Sequence, residues 1–155
     1  MEDDWKLPWD GGCMCGRVRV RVSRPPLLTM ACHCTGCQKF SASAFSLTMS
    51  VPRDGFAVVQ GELAIGGMHG PHRHWFCAHC KNWIYTQPNG LDFLRNVRPS
   101  LLDQHAWVKP FIEVYTSEKL PWAFTGATHS FATQPDLAGY QPLVEEFASL
   151  GARPA

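Results

Sequence analysis

Hydrophobic and polar residues alternate with a period of two along several short stretches. Arg17-Val18-Arg19-Val20-Arg21-Val22 puts three valines on one side and three arginines on the other, the pattern of a strand with one buried face. Ser23-Arg24-Pro25-Pro26 ends it. Across 45–51 the alternation returns, with Phe45, Leu47, Met49 and Val51 on one face and Ser46, Thr48 and Ser50 on the other. Further strands are predicted over 56–60, 74–76, 83–86, 91–94 and 111–115, separated by Gly, Pro, Asn and Asp. Many short strands at short spacing argue for an antiparallel, mostly β architecture. A helical period emerges only near the C-terminus, where Leu143, Phe147 and Leu150 recur on one face and Pro142 stands near a helix start.

A chain of 155 residues suits one domain that buries roughly 70% of its unfolded surface. Its 14 basic and 13 acidic residues leave a net charge of +1, so no overall field favours nucleic acid or an anionic membrane as partner. The acidic start Met1-Glu2-Asp3-Asp4-Trp5 lacks the basic region of a signal peptide, and no stretch approaches the length of a membrane span. A cytoplasmic location is therefore expected, with residues 1–10 as a lead and 11–155 as a single domain. The densest run of structure breakers, Gly66-Gly67-Met68-His69-Gly70-Pro71, predicts a mobile loop.

All seven cysteines fall in three clusters: Cys13-Met14-Cys15, Cys32-His33-Cys34-Thr35-Gly36-Cys37 and Cys77-Ala78-His79-Cys80. In a reducing compartment such paired short spacings are more often metal ligands than disulfides. Thiolates two or three residues apart can converge on a point about 2.3 Å from each sulfur, the zinc–sulfur bond length. A closed structural site takes four ligands and an open one takes three, so seven thiols suit two zinc ions. Spacing alone leaves two partitions open. One joins Cys34 and Cys37 to Cys77 and Cys80 as a ribbon-like site. The other joins Cys13 and Cys15 to Cys77 and Cys80 and leaves Cys32, Cys34 and Cys37 to hold a second ion.

Gly11-Gly12-Cys13-Met14-Cys15-Gly16, Cys32 through Lys39, Phe76-Cys77-Ala78-His79-Cys80, and the stretch from Pro110 through Tyr115-Thr116-Ser117 to Pro121-Trp122 together resemble the glutathione-dependent formaldehyde-activating enzymes and their relatives. The resemblance implies a zinc-stabilised β-tent and the second partition. Cys13, Cys15, Cys77 and Cys80 would then hold a structural zinc, and Cys32, Cys34 and Cys37 a catalytic one. It further implies a carbon-sulfur lyase of the S-(hydroxymethyl)glutathione synthase type, which adds glutathione to formaldehyde or a related small electrophile. The alternative is a noncatalytic, zinc-stabilised interaction module like the centromere protein V group, with the Arg17 to Arg21 face as its contact surface. The chain departs from the family in two places. Lys81-Asn82 follow the last cluster where relatives often carry glycine, and Glu113 stands where they often carry histidine.

Three thiolates on a zinc dication leave a net charge of −1, a poor Lewis acid for activating water. Such a centre suits a fourth thiol instead, held deprotonated as a nucleophile. Lys39 and Arg73 are candidates for binding a substrate carboxylate. His33, inside the central cluster, is a candidate site-lining residue or outer partner of the metal. With seven thiols sufficient for two sites, His69, His72 and His74 are expected at the surface. Trp107, Trp122 and Phe124 are expected in the core.

Overall fold

A computed structural model describes residues 2–155. The chain runs through β1 (Trp9–Gly12), β2 (Arg19–Val22), β3 (Leu28–Cys32), a short helix α1 (Thr35–Ser41), β4 (Ser46–Pro52), β5 (Phe56–Gln60), β6 (Leu63–Ile65) and β7 (Arg73–Cys77). It continues through β8 (Trp83–Gln87), β9 (Leu94–Val97), β10 (Ile112–Val114), β11 (His129–Ser130) and the terminal helix α2 (Leu137–Leu150). Strands β1, β2 and β5 form one antiparallel sheet. The larger sheet has the order β11-β10-β3-β4-β9-β8-β7-β6.

The alternation in β2 does what its period dictates. Val18, Val20 and Val22 are wholly buried, while Arg19 and Arg21 face outward onto Asp103 and Asp10 at 2.6 and 2.7 Å. Two arginines of the proposed contact face are thus already engaged within the chain. Opposite the valines, Met49, Val51, Ile84, Val97, Leu101 and Leu102 complete a first core that also contains Cys13 and Cys77. A second core gathers Trp5, Leu28, Phe111, Ile112, Val114, Leu143 and Phe147, with Cys32 packed against its edge. Burying a side chain the size of Phe147 contributes about 2–3 kcal/mol, which is what docks α2.

Several expectations need correcting. The large sheet is mixed, because β10 runs parallel to both β3 and β11. The strand expected over 91–94 lies three residues later: the Leu94 N–H bonds back to the Leu91 carbonyl in a turn, and β9 reaches register with β4 only from Leu94 onward. In β4 the small polar residues Ser46, Thr48 and Ser50 are buried and Leu47 is partly open, since a mid-sheet strand is covered on both faces. Helix α2 begins at Leu137, where the Asp136 carboxylate caps the Gly139 N–H at 2.7 Å, so Pro142 lies inside the helix. Helix α1 was not expected at all; seven residues are too few to display a period. Of the lead, Trp5 lies in the second core and Trp9 opens β1. Trp107 packs against both cores, but Trp122 and Phe124 are 74% and 87% exposed. Among the described residues no helix is long and apolar enough to cross a membrane.

Candidate metal centres

The fold brings the first and third cysteine clusters together. The sulfurs of Cys13, Cys15, Cys77 and Cys80 all lie within 4.8 Å of one another, with Cys13 to Cys15 at 3.4 Å and Cys15 to Cys77 at 3.7 Å. A tetrahedral zinc with bonds of about 2.3 Å needs sulfurs about 3.8 Å apart, so this donor set fits zinc. Backbone N–H groups point at the sulfurs, Val18 donating to Cys13 at 3.3 Å and Cys80 to Cys77 at 3.4 Å. Asn82 ties the two loops by accepting from the Met14 N–H at 2.9 Å. Burial opposes ionisation of Cys13, yet the Val18 N–H and the neighbouring thiols bring its pKa down to about 6. The Arg17 N–H favours the Cys15 thiolate, but burial and hydrogen bonding of the thiol to the sulfurs of Cys13, Cys80 and Cys77 outweigh it and push that thiol up to about 11. Without a cation the sulfurs compete for the charge, Cys13 and Cys80 being held low while Cys15 is pushed up; a dication lets them all ionise.

Cys32, Cys34 and Cys37 form the second group, again within 4.8 Å of one another. The ribbon-like partition is thereby excluded, and all seven cysteines are free of disulfides. Cys32 ends β3, and Cys34 is the N-cap of α1, its sulfur accepting from the Cys37 N–H at 3.3 Å. Donation by Cys32, helped by Ser46, His69 and Cys34, outweighs burial and draws Cys37 down to about 4, while Cys32 is driven strongly upward. Helix α1 is fastened to the turn after β10: Glu118 Oε1 accepts from the Thr35 N–H and hydroxyl at 3.1 and 3.0 Å, and Gln38 Nε2 donates to the carbonyls of His33 and Glu118.

Behind the group, His33 is fully buried and its Nε2 bonds Glu113 Oε2 at 2.9 Å. Glu113 also accepts from Thr125 and Ser130 hydroxyls at 2.6 and 2.8 Å. Burial opposes its charge, but these three donors hold the carboxyl down at about 2. An ionised acceptor fixes the proton of His33 on Nε2, leaving Nδ1 buried without a partner among the described residues. The His33 ring thus bonds Glu113 rather than a sulfur of the group.

Two further residues stand near the group: Arg98, which the sequence did not single out, and His69, contrary to its expected place at the surface. Arg98 is 92% buried, its exposure being 8%, and its guanidinium carbon lies 3.8 Å from the Trp83 ring centroid. Burial pulls its pKa down to about 10, against the opposing influence of Cys37 and Cys32. His69 Nε2 stands 3.5 Å from Cys37 Sγ and 3.6 Å from Cys34 Sγ. His74 is buried, contrary to expectation; its Nε2 donates to the His69 carbonyl at 3.3 Å and its Nδ1 accepts from Thr86 Oγ1 at 2.8 Å. His72 is exposed as expected. A signal for His69 existed, since it lies in a His-rich run upstream of the third cluster, but glycine and proline on both sides disguised it as plain loop. Nothing local marks Arg98.

Lys39 is exposed and lines an open hollow of about 580 Å³ with Gln38, Leu120 and Trp122. Arg73 is exposed at the start of β7. A second cavity, of about 390 Å³, is walled by Phe40, Phe45, Ser46 and Trp83, with Arg98 and Lys81 as its cations.

The sequence profile of a family described as glutathione-dependent formaldehyde-activating enzyme matches residues 8–118. Among solved structures, a crystal structure of a Rhodobacter sphaeroides protein shares 21% identity, covering 61% of this chain and 87% of that one at a TM-score of 0.49. No curated protein matches.

Proposed function

The chain belongs to the glutathione-dependent formaldehyde-activating enzyme family, and from that membership we propose that it adds glutathione to formaldehyde in the cytoplasm as a carbon-sulfur lyase of the S-(hydroxymethyl)glutathione synthase type. The observation that carries the reading is the three-thiol group Cys32, Cys34 and Cys37, separate from a complete four-thiol group. Four thiols close a tetrahedral ion, whereas three leave one position for a ligand. A zinc ion held by the three would supply a place where an incoming thiol is kept deprotonated near neutral pH.

The residues around it support the addition. The new carbon–sulfur bond forms between the thiol sulfur and the carbonyl carbon, and the carbonyl oxygen takes up the proton that the thiol gave. Three protein thiolates and a substrate thiolate on a dication total −2, which calls for nearby positive charge. Arg98 provides one such charge beside Cys32 and Cys37. The 390 Å³ cavity next to it offers aromatic walls and, in Arg98 and Lys81, two cations for the carboxylates of a peptide thiol. Arg98 and Lys81 replace Lys39 and Arg73 as the carboxylate partners in this reading. His33, held by Glu113, acts as a positioning residue that fixes the backbone between Cys32 and Cys34.

Thiol addition to formaldehyde is fast without help, so the test is a rate at equilibrium. In exchange NMR with labelled formaldehyde and glutathione, the zinc-loaded protein should speed interconversion of aldehyde and adduct, and the Cys34→Ser variant should not. Equal exchange rates with and without the intact protein would overturn the reading.

A further inference from the structure

We propose that His69 is the resting fourth ligand of the three-cysteine centre, carried there by the loop around residues 66–71, and that an incoming thiol has to displace it. This rests on the reading that Cys32, Cys34 and Cys37 hold a metal ion.

The distances come first. A tetrahedral zinc with sulfur bonds of about 2.3 Å and a nitrogen bond of about 2.05 Å separates nitrogen from sulfur by about 3.6 Å. His69 Nε2 lies 3.5 and 3.6 Å from the sulfurs of Cys37 and Cys34. The mutual 4.8 Å cluster contains only the three sulfurs, so the imidazole stands closer to this pair than to Cys32. Completing the vertex requires the imidazole to move by about 1 Å or more toward Cys32, whose sulfur lies beyond 4.8 Å from it. Gly67 and Gly70, on either side of His69, both take the left-handed region, at φ +69° and +68°, that carries the loop over α1.

The seat of the loop is built to receive it. A Cβ on Gly36, between the ligands Cys34 and Cys37, would come within 2.2 Å of the His69 ring. A Cβ on Gly67 would come within 2.2 Å of the Phe40 ring, on the same helix α1. Both glycines leave space that the opposing ring fills. On the far side the buried His74 holds the His69 carbonyl, and its ring lies 6.1 Å from that of His69 at an interplanar angle of 15°. Charge agrees with the assignment: three thiolates and a neutral imidazole on a dication total −1, which the single buried guanidinium of Arg98 balances. A substrate thiolate in place of the imidazole raises the total to −2.

The alternative is that His69 only donates a hydrogen bond to a sulfur, which these distances also permit. Cadmium NMR separates the two. The full chain, labelled with ¹⁵N-histidine, is loaded with ¹¹³Cd. Two bound cadmium ions are expected, one of them showing a one-bond coupling to an imidazole Nε2. His69→Ala should abolish that coupling, and Gly36→Ala should weaken or abolish it while leaving the histidine in the chain. Saturating glutathione should also remove it from the wild type. If the loop is closed about nine-tenths of the time, His69→Ala should bind glutathione about tenfold more tightly. Two bound cadmium ions with no imidazole coupling would overturn the inference and leave the metal reading standing. Coupling that persists in saturating glutathione would overturn the displacement. A single cadmium, on the four-cysteine group alone, would sink the metal reading itself.

Discussion

Arg98 carries its charge with almost no access to water and, among the described residues, with no carboxylate within ion-pair distance. One Nη2 donates to the Asn96 carbonyl at 3.3 Å, and Nε has no partner. A buried, unpaired guanidinium is costly unless something negative lies close by. The proposed zinc–thiolate group supplies that charge. Arg98→Met, which keeps the volume and removes the charge, should therefore weaken binding of the second metal ion by roughly 10–100-fold, as loss of an outer partner commonly does. Competition with a chromophoric chelator would measure it, the four-cysteine group serving as internal control. The departure at Lys81 is also a residue-scale matter. Its φ is +61°, in the region that favours glycine, and its Nζ donates to the Ala78 carbonyl at 2.7 Å. The side chain gains a bond and a place in the cavity wall where glycine would relieve the backbone.

At the scale of elements, the two cysteine groups are held in different ways. Cys13 and Cys77 belong to the first core and come from the loop after β1 and the end of β7, more than 60 residues apart, so the four-cysteine group joins distant parts of the chain. Cys32, Cys34 and Cys37 span one strand end and the first turn of α1, fastened from outside by Glu118. Cys34→Ser should yield a folded protein with one zinc ion per chain and an almost unchanged circular dichroism spectrum. Cys80→Ser should lose its cooperative melting transition, because structural zinc contributes folding energy directly. Elemental analysis beside a thermal melt checks both.

The legibility of these elements follows the range of the interactions that make them. Strand β2 could be read because its period is local, and β5 because Gly55 and Gly61 bracket it. Strand β3, Leu28–Cys32, was missed because a strand between two neighbours has buried residues on both faces and no alternation to show. Cysteine spacing singled out the seven thiols, and the resemblance implied the two groups into which the fold gathers them. The neighbours of those thiols arrive from afar, His69 from the connection between β6 and β7 and Arg98 from the end of β9, whose placement is set only by tertiary pairing. Glu113 was visible as a departure from the family, but the hydroxyls of Thr125 and Ser130 that satisfy it lie on a segment with no predicted structure at all.

Across the whole molecule, the second core depends on β10, and β10 carries Glu113. The folded carboxyl titrates near 2 against an ordinary value of 4.5, so its contribution is fully present above about pH 4.5 and is lost as pH falls toward 2. The stake is on the order of 3 kcal/mol for a group this buried. Urea midpoints measured from pH 7 down to pH 2 should fall steeply over that window in the wild type. In Glu113→Gln the midpoint should be lower at neutral pH and the acid limb flatter. An acid limb as steep in the variant as in the wild type would assign the acid sensitivity to other carboxylates.

The parallel pairing of Met30 with Ile112 has a further consequence, for the order in which the protein is made. Cys32, Cys34 and Cys37 leave the ribosome within six residues of one another and can meet a metal ion almost at once. The strand that covers the outer edge of β3 follows some 80 residues later, roughly 4–16 s at ordinary rates of synthesis. During that interval the nascent chain shows an open strand edge beside a nearly complete thiol trap. With a metal ion at this group as proposed, metal supply and co-translational protection would be coupled in this fold: an ion captured early would stiffen the end of β3 while its edge is still bare.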